Sequence, residues 1–290
     1  MNSPKRKQMT FADGDVSYLE WEADAPVLHF AHATGFNAET YRALLAPLAG
    51  RFHIFAIDQR GHGFSTLRAE PDELKGWDVY SSDLAAFLTR VAGGKPAVLA
   101  GHSMGGIASL MVAAHHPELV RAVVVAEPVL VSDTPPTPEQ TRAMAERPNL
   151  AEMAARRRGT FASFDEAFGR YRGRGAFTTW PDETLTDYLH GGLVKTGNGD
   201  EVRLACAPAW ESATFRNAHP GGARLTGMMK APLTLLHAEN AMDGTARASE
   251  VDIVRQQKPD AKIIPVPEVT HFLPMEKPEL VRDAIAAFAG

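Results

Sequence analysis

The amino-acid sequence predicts an α/β protein in which helices cover both faces of a mostly parallel β-sheet. Short apolar runs rich in β-branched residues alternate along the chain with longer segments of helical pattern. Almost every residue within each run is apolar, which is typical of strands buried on both faces of a parallel sheet. A third observation is a stretch of about 100 residues with helical pattern and few strand-like runs, which predicts an insertion into the sheet unit.

Six apolar runs are the predicted core strands: Val27–Phe30, His53–Ile57, Ala97–Ala100, Ala122–Ala126, Leu233–Leu236 and Ile263–Val266. Val16–Trp21 alternates more strongly between apolar and polar residues, which indicates an outer antiparallel strand at the start of the sheet. Helical periodicity predicts five helices between the strands. They are Tyr41–Ala49, Ser82–Val91, Gly105–Ala114, Ser249–Gln257 and Glu279–Phe288.

The alternation of strands and helices stops between residues 132 and 230. This segment opens with Thr134–Pro138, a proline-rich linker that can continue neither a strand nor a helix. Arginine and glutamate residues then recur at helical spacing among scattered aromatic side chains. We therefore expect a discontinuous core formed by residues 1–131 and 231–290, and a helical cap formed by residues 132–230.

Composition and charge exclude several classes of protein. Apolar residues make up 44% of the 290 residues and charged residues 22%, which is ordinary for a folded globular chain. The single cysteine, Cys206, leaves no intrachain disulfide and no cysteine-rich metal site. A net charge of −5 with mixed signs argues against a nucleic-acid partner. No apolar stretch follows the basic cluster Lys5–Lys7, so we expect a solvated tail and a cytoplasmic protein without a membrane partner.

The strongest chemical signal is a serine between two glycines, in the sequence Gly-His-Ser-Met-Gly at residues 101–105. A buried strand runs directly into this stretch, and a helical pattern follows at once. Such a context places a serine hydroxyl on a sharp turn above the sheet edge, where larger residues two positions away on either side would clash. Ser103 is therefore the predicted nucleophile.

A serine hydroxyl becomes an effective nucleophile only when a base takes its proton. His271 lies between the last predicted strand and the last predicted helix, in a loop where open α/β sheets build their sites. Other histidines fit this role less well. His29 lies within a strand, and His102 adjoins the serine but is expected to point away from the site. His271 is the predicted base.

With these motifs the chain resembles the α/β-hydrolase family, in its version with a helical cap between the sixth and seventh strands. The resemblance covers nearly the whole sequence. It rests on the serine turn, on His271, on His-Ala-Thr-Gly-Phe at residues 32–36 and on Asp-Gln-Arg-Gly-His-Gly-Phe-Ser at residues 58–65. The resemblance implies an eight-stranded sheet, a Ser–acid–His triad, an oxyanion hole and a reaction site beneath the cap.

The implied oxyanion hole consists of two backbone amides. One is the amide of Met104, directly after the serine and at the start of a helix whose dipole favours negative charge. The other comes from the loop at residues 32–35, where position selects Thr34. His32 is expected to anchor this loop, and Asp58 to hold the turns behind the site.

The acid of the triad is where the sequence departs from the family pattern. Members commonly place an aspartate just after the seventh strand, where this chain has Ala241. Three other carboxylates are available: Glu127, Asp243 and Glu239. Glu127 ends a buried strand directly before a proline, at a position some relatives use, and a buried carboxylate is costly unless it is paired. Glu127 is the preferred acid, with Asp243 and Glu239 as alternatives.

Together these residues predict a serine hydrolase that cleaves small-molecule carboxylic esters or lactones through an acyl-serine, without a metal or an organic cofactor. A serine at the turn argues against haloalkane dehalogenase and epoxide hydrolase, which need a carboxylate nucleophile. Trp180 and Trp210 of the cap indicate an apolar substrate pocket. A carbon–carbon bond hydrolase, a perhydrolase and a ligand receptor with little turnover are the alternatives, because a fold alone does not determine activity.

Overall fold

The computed structural model describes residues 3–130, 142, 149–219, 222–239 and 248–290. Eight strands of these residues form one sheet: β1 (Lys5–Phe11), β2 (Gly14–Trp21), β3 (Val27–Ala31), β4 (His53–Ile57), β5 (Ala97–His102), β6 (Val120–Ala126), β10 (Leu233–Ala238) and β11 (Lys262–Val266). Three short strands form a separate antiparallel sheet: β7 (Thr160–Phe161), β8 (Leu193–Lys195) and β9 (Val202–Leu204).

The large sheet has the strand order β1-β2-β4-β3-β5-β6-β10-β11. β1 pairs antiparallel with β2, and β2 pairs antiparallel with β4. The last six strands in this order, which are β4, β3, β5, β6, β10 and β11, pair in parallel with one another. The carboxyl ends of these parallel strands therefore share one edge of the sheet. The predicted mostly parallel α/β sheet is confirmed.

Helices flank the sheet. They are α1 (Arg42–Leu45), α2 (Asp78–Val91), α3 (Met104–His115), α4 (Leu150–Ala155), α5 (Phe164–Tyr171), α6 (Asp182–Gly192), α7 (Pro208–Arg216), α8 (Gly222–Met228), α9 (Ala248–Gln257), α10 (Leu273–Glu276) and α11 (Pro278–Ala286). The predicted helix over residues 41–49 is divided into α1 and two flanking 3₁₀ turns, Ala38–Tyr41 and Ala46–Leu48. Among the helices of the described residues, none is both long and apolar enough to span a bilayer.

The core strands are apolar at consecutive positions because both faces of the sheet are covered. Val98 and Val124 belong to one buried cluster, whereas the adjacent residues Leu99 and Val123 belong to another. Successive side chains of a strand point to opposite faces. A strand with helices on both sides therefore has no polar face.

The N-terminal basic cluster is not a solvated tail, and that expectation is wrong. Lys5–Lys7 lies in β1, which pairs along its length with β2. The side chain of Arg6 turns inward and donates hydrogen bonds to Ser17 Oγ at 2.7 Å and Asp58 Oδ2 at 2.6 Å. β1 is an edge strand, and charged residues on an edge discourage pairing with other chains.

The segment between β6 and β10 carries the elements from α4 to α8 and packs closely on the sheet unit. For example, Asn37 Nδ2, which belongs to the sheet unit, donates to the carbonyl of Tyr188 in α6 at 2.9 Å. In α7, the carbonyl of Thr214 accepts from Trp77 Nε1 at 2.9 Å. The division into core and cap at residues 132 and 230 stays a prediction, and the linker Thr134–Pro138 lies outside the described residues.

Candidate active site

The side chains that the sequence selects follow three strands at the carboxyl edge of the sheet. Ser103 comes directly after β5, and Glu127 comes directly after β6. β5 and β6 are neighbours in register, with His102 opposite Ala126, so the next residue of each strand lies at the same level. His271 enters from residues 267–272, the loop between β11 and α10.

Ser103 sits on a sharp turn between β5 and α3. Its φ is +55°, a backbone conformation that L residues rarely adopt. A Cβ on Gly101 would lie 2.6 Å from the carbonyl carbon of Gly105, and a Cβ on Gly105 would lie 2.3 Å from the carbonyl oxygen of Ala31. Both glycines are therefore required for β5, the turn and α3 to fit together.

A chain of hydrogen bonds joins Ser103, His271 and Glu127. His271 Nε2 lies 3.0 Å from Ser103 Oγ, and His271 Nδ1 lies 3.1 Å from Glu127 Oε2. Because a carboxylate only accepts, Nδ1 carries the imidazole proton, and Nε2 is free to accept the serine hydroxyl. Ser103 is 7% exposed and Glu127 is fully buried. The arrangement can move a proton from the hydroxyl to the imidazole.

Glu127 is held by the ends of two neighbouring strands. Its φ is +50°, its own N–H donates to the carbonyl of Leu236 at 2.9 Å, and its Oε1 accepts from the N–H of Ala238 at 2.5 Å. Of the two alternative acids, Glu239 is exposed at the end of β10, and Asp243 lies outside the described residues, as does Ala241. The carboxylate that the structure brings to His271 is that of Glu127.

The loop after β3, residues 32–36, has its backbone amides engaged on both sides of Thr34. The N–H of Ala33 donates to Tyr41 Oη at 3.1 Å, and the N–H of Gly35 donates to His62 Nε2 at 2.9 Å. Within the described residues, the N–H groups of Thr34 and Met104 have no acceptor. These two amides are the oxyanion donors that the sequence predicts.

Two buried histidines fix loop 32–36 in place. His32 Nδ1 lies 2.8 Å from the carbonyl of Ala33, and its Nε2 accepts the N–H of Gln59 at 2.8 Å. Burial lowers the pKa of His32 to about 4 and that of His62 to about 3. Both rings are therefore neutral at pH 7, and His62 Nε2 keeps the lone pair that accepts from Gly35.

Asp58 lies behind the site, as expected for a structural residue. Its Oδ1 accepts from the N–H of Ala38 at 2.9 Å, and its Oδ2 accepts from Arg6 and from the N–H of Phe64 at 3.1 Å. A Cβ on Gly63 would lie 2.2 Å from the Asp58 carboxyl carbon. The glycine allows the turn to close around this carboxylate.

An ion pair from the segment between β6 and β10 lies against loop 32–36. Arg157 Nη1 donates to Glu211 Oε2 at 2.6 Å, and Arg157 Nη2 donates to Tyr188 Oη at 2.9 Å. A Cβ on Gly35 would lie 2.5 Å from Glu211 Oε1. The segment between β6 and β10 therefore contacts the loop that carries Thr34.

The two tryptophans selected from the sequence lie in different places. The Trp180 ring centroid lies 5.3 Å from that of Phe36 and 5.7 Å from that of Phe272, the residue after His271. Trp210 Nε1 donates to the carbonyl of Arg60 at 3.0 Å, and its ring covers Gly61. The structure thus brings Trp180 against the residue that follows His271, whereas Trp210 joins α7 to the loop after β4.

The expectation that His102 points away from the site is wrong. Its ring centroid lies 5.0 Å from that of His271, and its Nε2 lies 2.8 Å from the His271 carbonyl oxygen. Its Nδ1 lies 2.7 Å from Tyr41 Oη. No short-range pattern indicates these contacts, because they join residues 61 and 169 positions apart.

A cavity of about 370 Å³ lies beside loop 267–272. Glutamates and threonines dominate its lining, which consists of Thr179, Glu239, Glu268, Val269, Thr270, Glu276 and Lys277. In the part of the chain that the structure describes, no cluster of three or more histidine, cysteine or acidic side chains has the arrangement of a metal site.

Known proteins place this chain among the hydrolases. The α/β hydrolase family model matches residues 30–284. The 2-(acetamidomethylene)succinate hydrolase of Mesorhizobium japonicum is 24% identical over 267 residues, which cover 92% of this chain and 89% of that protein. Esterase Rv0045c of Mycobacterium tuberculosis is 32% identical over 162 residues, 56% of this chain and 48% of that one.

Solved structures agree with the fold. The crystal structure of E-2-(acetamidomethylene)succinate hydrolase superimposes with a TM-score of 0.80 at 23% identity, and the match covers 98% of each chain. A thioesterase domain from the curacin biosynthetic pathway gives a TM-score of 0.77 at 16% identity, covering 98% of this chain and 99% of that one. With the family model matched over most of its length, the chain belongs to the α/β hydrolase family.

Proposed function

We propose that this protein is a serine hydrolase that cleaves small-molecule carboxylic esters through an acyl-serine intermediate. The observation that carries the proposal is the hydrogen-bonded series from Ser103 Oγ through His271 to the buried Glu127 carboxylate. A nucleophile within reach of a base, with the base oriented by a third group, is the arrangement that covalent catalysis by serine requires. The esterase among the relatives supports the choice of ester bonds.

In the proposed acylation step, His271 Nε2 takes the proton of Ser103 as Oγ attacks the ester carbonyl carbon. The imidazolium that forms is stabilised by Glu127, whose negative charge lies against Nδ1. The tetrahedral intermediate then collapses, His271 returns the proton to the alcohol oxygen, and the alcohol leaves. The acyl group stays on Ser103 as an ester.

The amides of Thr34 and Met104 are the proposed oxyanion donors. This proposal is supported because no described residue accepts a hydrogen bond from either N–H, whereas the N–H groups on both sides of Thr34 already have acceptors. The N-terminal end of α3 adds positive potential at Met104. Removing one such donor typically costs 10²- to 10³-fold in rate, on the order of 3–4 kcal/mol.

Deacylation repeats the same proton transfers with water as the nucleophile. His271 takes a proton from water as the water oxygen attacks the acyl carbon, and it then returns the proton to Ser103. The carboxylic acid leaves and the free enzyme is restored. Every step uses only side chains and amides of this chain together with water.

Trp180 is the proposed wall of the acyl pocket. It forms an aromatic group with Phe36, Phe272, Phe177 and Tyr188, with ring centroids 4.9–5.9 Å from its own. Such a surface favours an apolar or aromatic acyl group, because burial of apolar area contributes about 25 cal/mol per Å². Trp210 is the other pocket residue that the sequence predicts, but its contacts with Arg60 and Gly61 support a structural role instead.

A second candidate activity is hydrolysis of an acylated amino group on a dicarboxylate. One observation favours it: the relative that aligns with 92% of this chain is a 2-(acetamidomethylene)succinate hydrolase. The same serine, histidine and acid would serve, since attack on an acetamido carbonyl gives the same acyl-serine. The two candidates differ in leaving group and in the charge of the substrate.

The test compares turnover of two substrate types by the purified protein. We expect p-nitrophenyl esters of increasing acyl length to be hydrolysed, and Ser103→Ala to lower the rate by at least about 10³-fold. In parallel, loss of 2-(acetamidomethylene)succinate is followed by chromatography. The matched control is Ser109→Ala, because Ser109 lies in α3 with its hydroxyl bonded to the carbonyl of Gly105.

Two results would change the proposal. Faster consumption of 2-(acetamidomethylene)succinate than of any ester, at matched concentration, would select the second candidate. Turnover of either substrate that persists in Ser103→Ala would reject the acyl-serine mechanism for that substrate.

A further inference from the structure

Two buried side chains, Tyr41 and His102, connect the loop that carries Thr34 to the loop that carries His271. Tyr41 Oη accepts the N–H of Ala33 at 3.1 Å and lies 2.7 Å from His102 Nδ1. His102 Nε2 lies 2.8 Å from the carbonyl oxygen of His271. Tyr41 is 1% exposed and His102 is fully buried. The connection is therefore continuous, and both of its bridging side chains are buried.

The partners fix the direction of each hydrogen bond in this connection. The His271 carbonyl only accepts, so His102 Nε2 must carry the proton. Burial holds the pKa of His102 well below its ordinary value, so the ring is neutral and Nδ1 has a free lone pair. Nδ1 accepts the Tyr41 hydroxyl proton, which leaves Tyr41 Oη to accept from Ala33. One arrangement of protons satisfies all three groups.

We propose that Tyr41 and His102 are positioning residues that hold the Thr34 amide at a fixed distance from His271. This inference rests on the proposed function, because it assigns Thr34 to the oxyanion and His271 to proton transfer. Ala33 directly precedes Thr34, so its bond to Tyr41 restrains the orientation of the Thr34 peptide. His102 restrains His271 through the backbone of that residue. A misplacement of about 1 Å at such a site costs about 10²-fold in rate.

The hydroxyl of Tyr41 can be separated from its packing role. The ring of Tyr41 lies against Phe30, with centroids 4.5 Å apart, and near Phe36 at 6.4 Å. Tyr41→Phe keeps these ring contacts and removes only the oxygen that bridges Ala33 and His102. A role confined to core packing therefore predicts little change in this variant, whereas the positioning role predicts loss of catalysis.

The experiment measures ester hydrolysis and analogue binding by Tyr41→Phe. We expect kcat to fall about 10- to 100-fold, with KM within about threefold of wild type. A reversible boronic acid, which forms a tetrahedral adduct with serine, should lose affinity by a factor similar to the loss in kcat/KM. Tyr18→Phe is the matched control, because Tyr18 lies on β2 in a separate apolar cluster. It should keep wild-type kcat and analogue affinity.

Two variants at His102 provide a second test. His102→Gln keeps an N–H at the position of Nε2 and can still donate to the His271 carbonyl, whereas His102→Leu cannot. We expect the glutamine variant to retain at least about tenfold more kcat than the leucine variant. Equal rates in the two folded variants would overturn the role of His102. If His102→Leu does not fold, the kcat and analogue affinity of Tyr41→Phe alone decide whether the proposal holds.

Other outcomes overturn the proposal directly. Wild-type kcat in Tyr41→Phe would do so, and so would a loss of kcat without any loss of analogue affinity. Failure of the proposed function is distinguishable, because wild-type protein would then show no Ser103-dependent turnover. In that case ¹⁵N NMR of His102 still tests the connection: a protonated Nε2 with a bare Nδ1 agrees with it, and the opposite tautomer contradicts it.

Discussion

At the scale of single residues, backbone strain coincides with the proposed chemistry. Ser103 and Glu127 are non-glycine residues with φ of +55° and +50°, and each directly follows a parallel strand. Such conformations cost about 1–3 kcal/mol each and persist where surrounding contacts enforce them. Here the Ser103 N–H donates to Ala126 and the Glu127 N–H donates to Leu236. At these backbone angles both side chains lie within hydrogen-bond distance of His271.

Replacing Glu127 by glutamine tests the assignment of the acid. The glutamine amide would present N–H groups to His271 Nδ1 and favour the wrong tautomer of the imidazole, so we expect kcat to fall about 10³- to 10⁴-fold. The measurement is ester turnover at matched stability. Glu239→Gln is the control and should stay within about twofold of wild type.

Asp243→Asn covers the remaining alternative for the acid. If Glu127→Gln keeps a near-native rate while Asp243→Asn loses several hundredfold, about 3–4 kcal/mol of transition-state stabilisation, the acid is Asp243.

The sequence predicts Ser103, His271 and Glu127 because each follows a recognisable strand. Their positions at strand ends bring them to one edge once the strands are parallel. Tyr41 and His102 escape prediction because their contacts depend on how two loops fold over the sheet edge. The position of Trp210 could not be predicted for the same reason, since its partner Arg60 lies 150 residues away in the chain.

At the scale of elements, the unit formed by β5, the serine turn and α3 is pressed against β3. The backbone of Gly105 lies against the carbonyls of Ala31 and His32. Ala31 ends β3 and His32 is the first residue of loop 32–36, so this close approach places the N-terminus of α3 beside that loop. The relative position of the two proposed oxyanion amides therefore depends on a glycine at position 105.

Gly105→Ala is expected to lower both stability and rate. The new Cβ would lie 2.3 Å from the Ala31 carbonyl oxygen, which is backbone and cannot turn aside. Overpacking of this kind costs about 1–3 kcal/mol. Urea unfolding and ester turnover measure the two effects.

Gly169→Ala in α5 is the control for that substitution. A Cβ there meets nothing within 4 Å, so alanine should stabilise the helix by about 0.5–1 kcal/mol and leave turnover unchanged. A Gly105→Ala protein as stable and as active as wild type would refute the close approach.

The parallel strands are predictable because burial on both faces makes them continuously apolar. β1 is not predictable in this way, since its side chains alternate between exposed and half-buried at the sheet edge. Its identity depends on pairing with β2 and on the contact of Arg6 with Asp58. β7, β8 and β9 have two or three residues each, too few for any hydrophobic period.

At the scale of the whole molecule, buried neutral histidines link folding to pH. Burial lowers the pKa of His29 to about 3, of His32 to about 4 and of His62 to about 3. Below pH 6.5 the unfolded chain binds protons at these residues that the native state does not bind. Their contribution to stability is therefore complete above about pH 6.5 and is lost as the pH falls toward 4.

We expect the free energy of unfolding to fall steeply between pH 7 and pH 5. Each of the three histidines contributes about 1.4 kcal/mol per pH unit once the pH is well below 6.5. His29→Leu should reduce the loss between pH 7 and pH 5 by about 2 kcal/mol. Within the described residues, neither ring nitrogen of His29 has a hydrogen-bond partner, so leucine removes no contact of this kind.

Urea unfolding at the two pH values, for wild type and His29→Leu, measures the difference. An identical loss of stability in the two proteins would show that His29 does not stay neutral in the native state.

The central claim for the whole molecule is that Ser103 becomes acylated, and labelling with a p-nitrophenyl phosphonate tests it most directly. The reagent phosphonylates an activated serine and releases one p-nitrophenolate per active site. Intact-mass and peptide mass spectrometry should find one phosphonyl group per chain, on Ser103, with loss of ester turnover in proportion to labelling. Unlabelled Ser103 with full loss of turnover, or full turnover in the labelled protein, would contradict the claim.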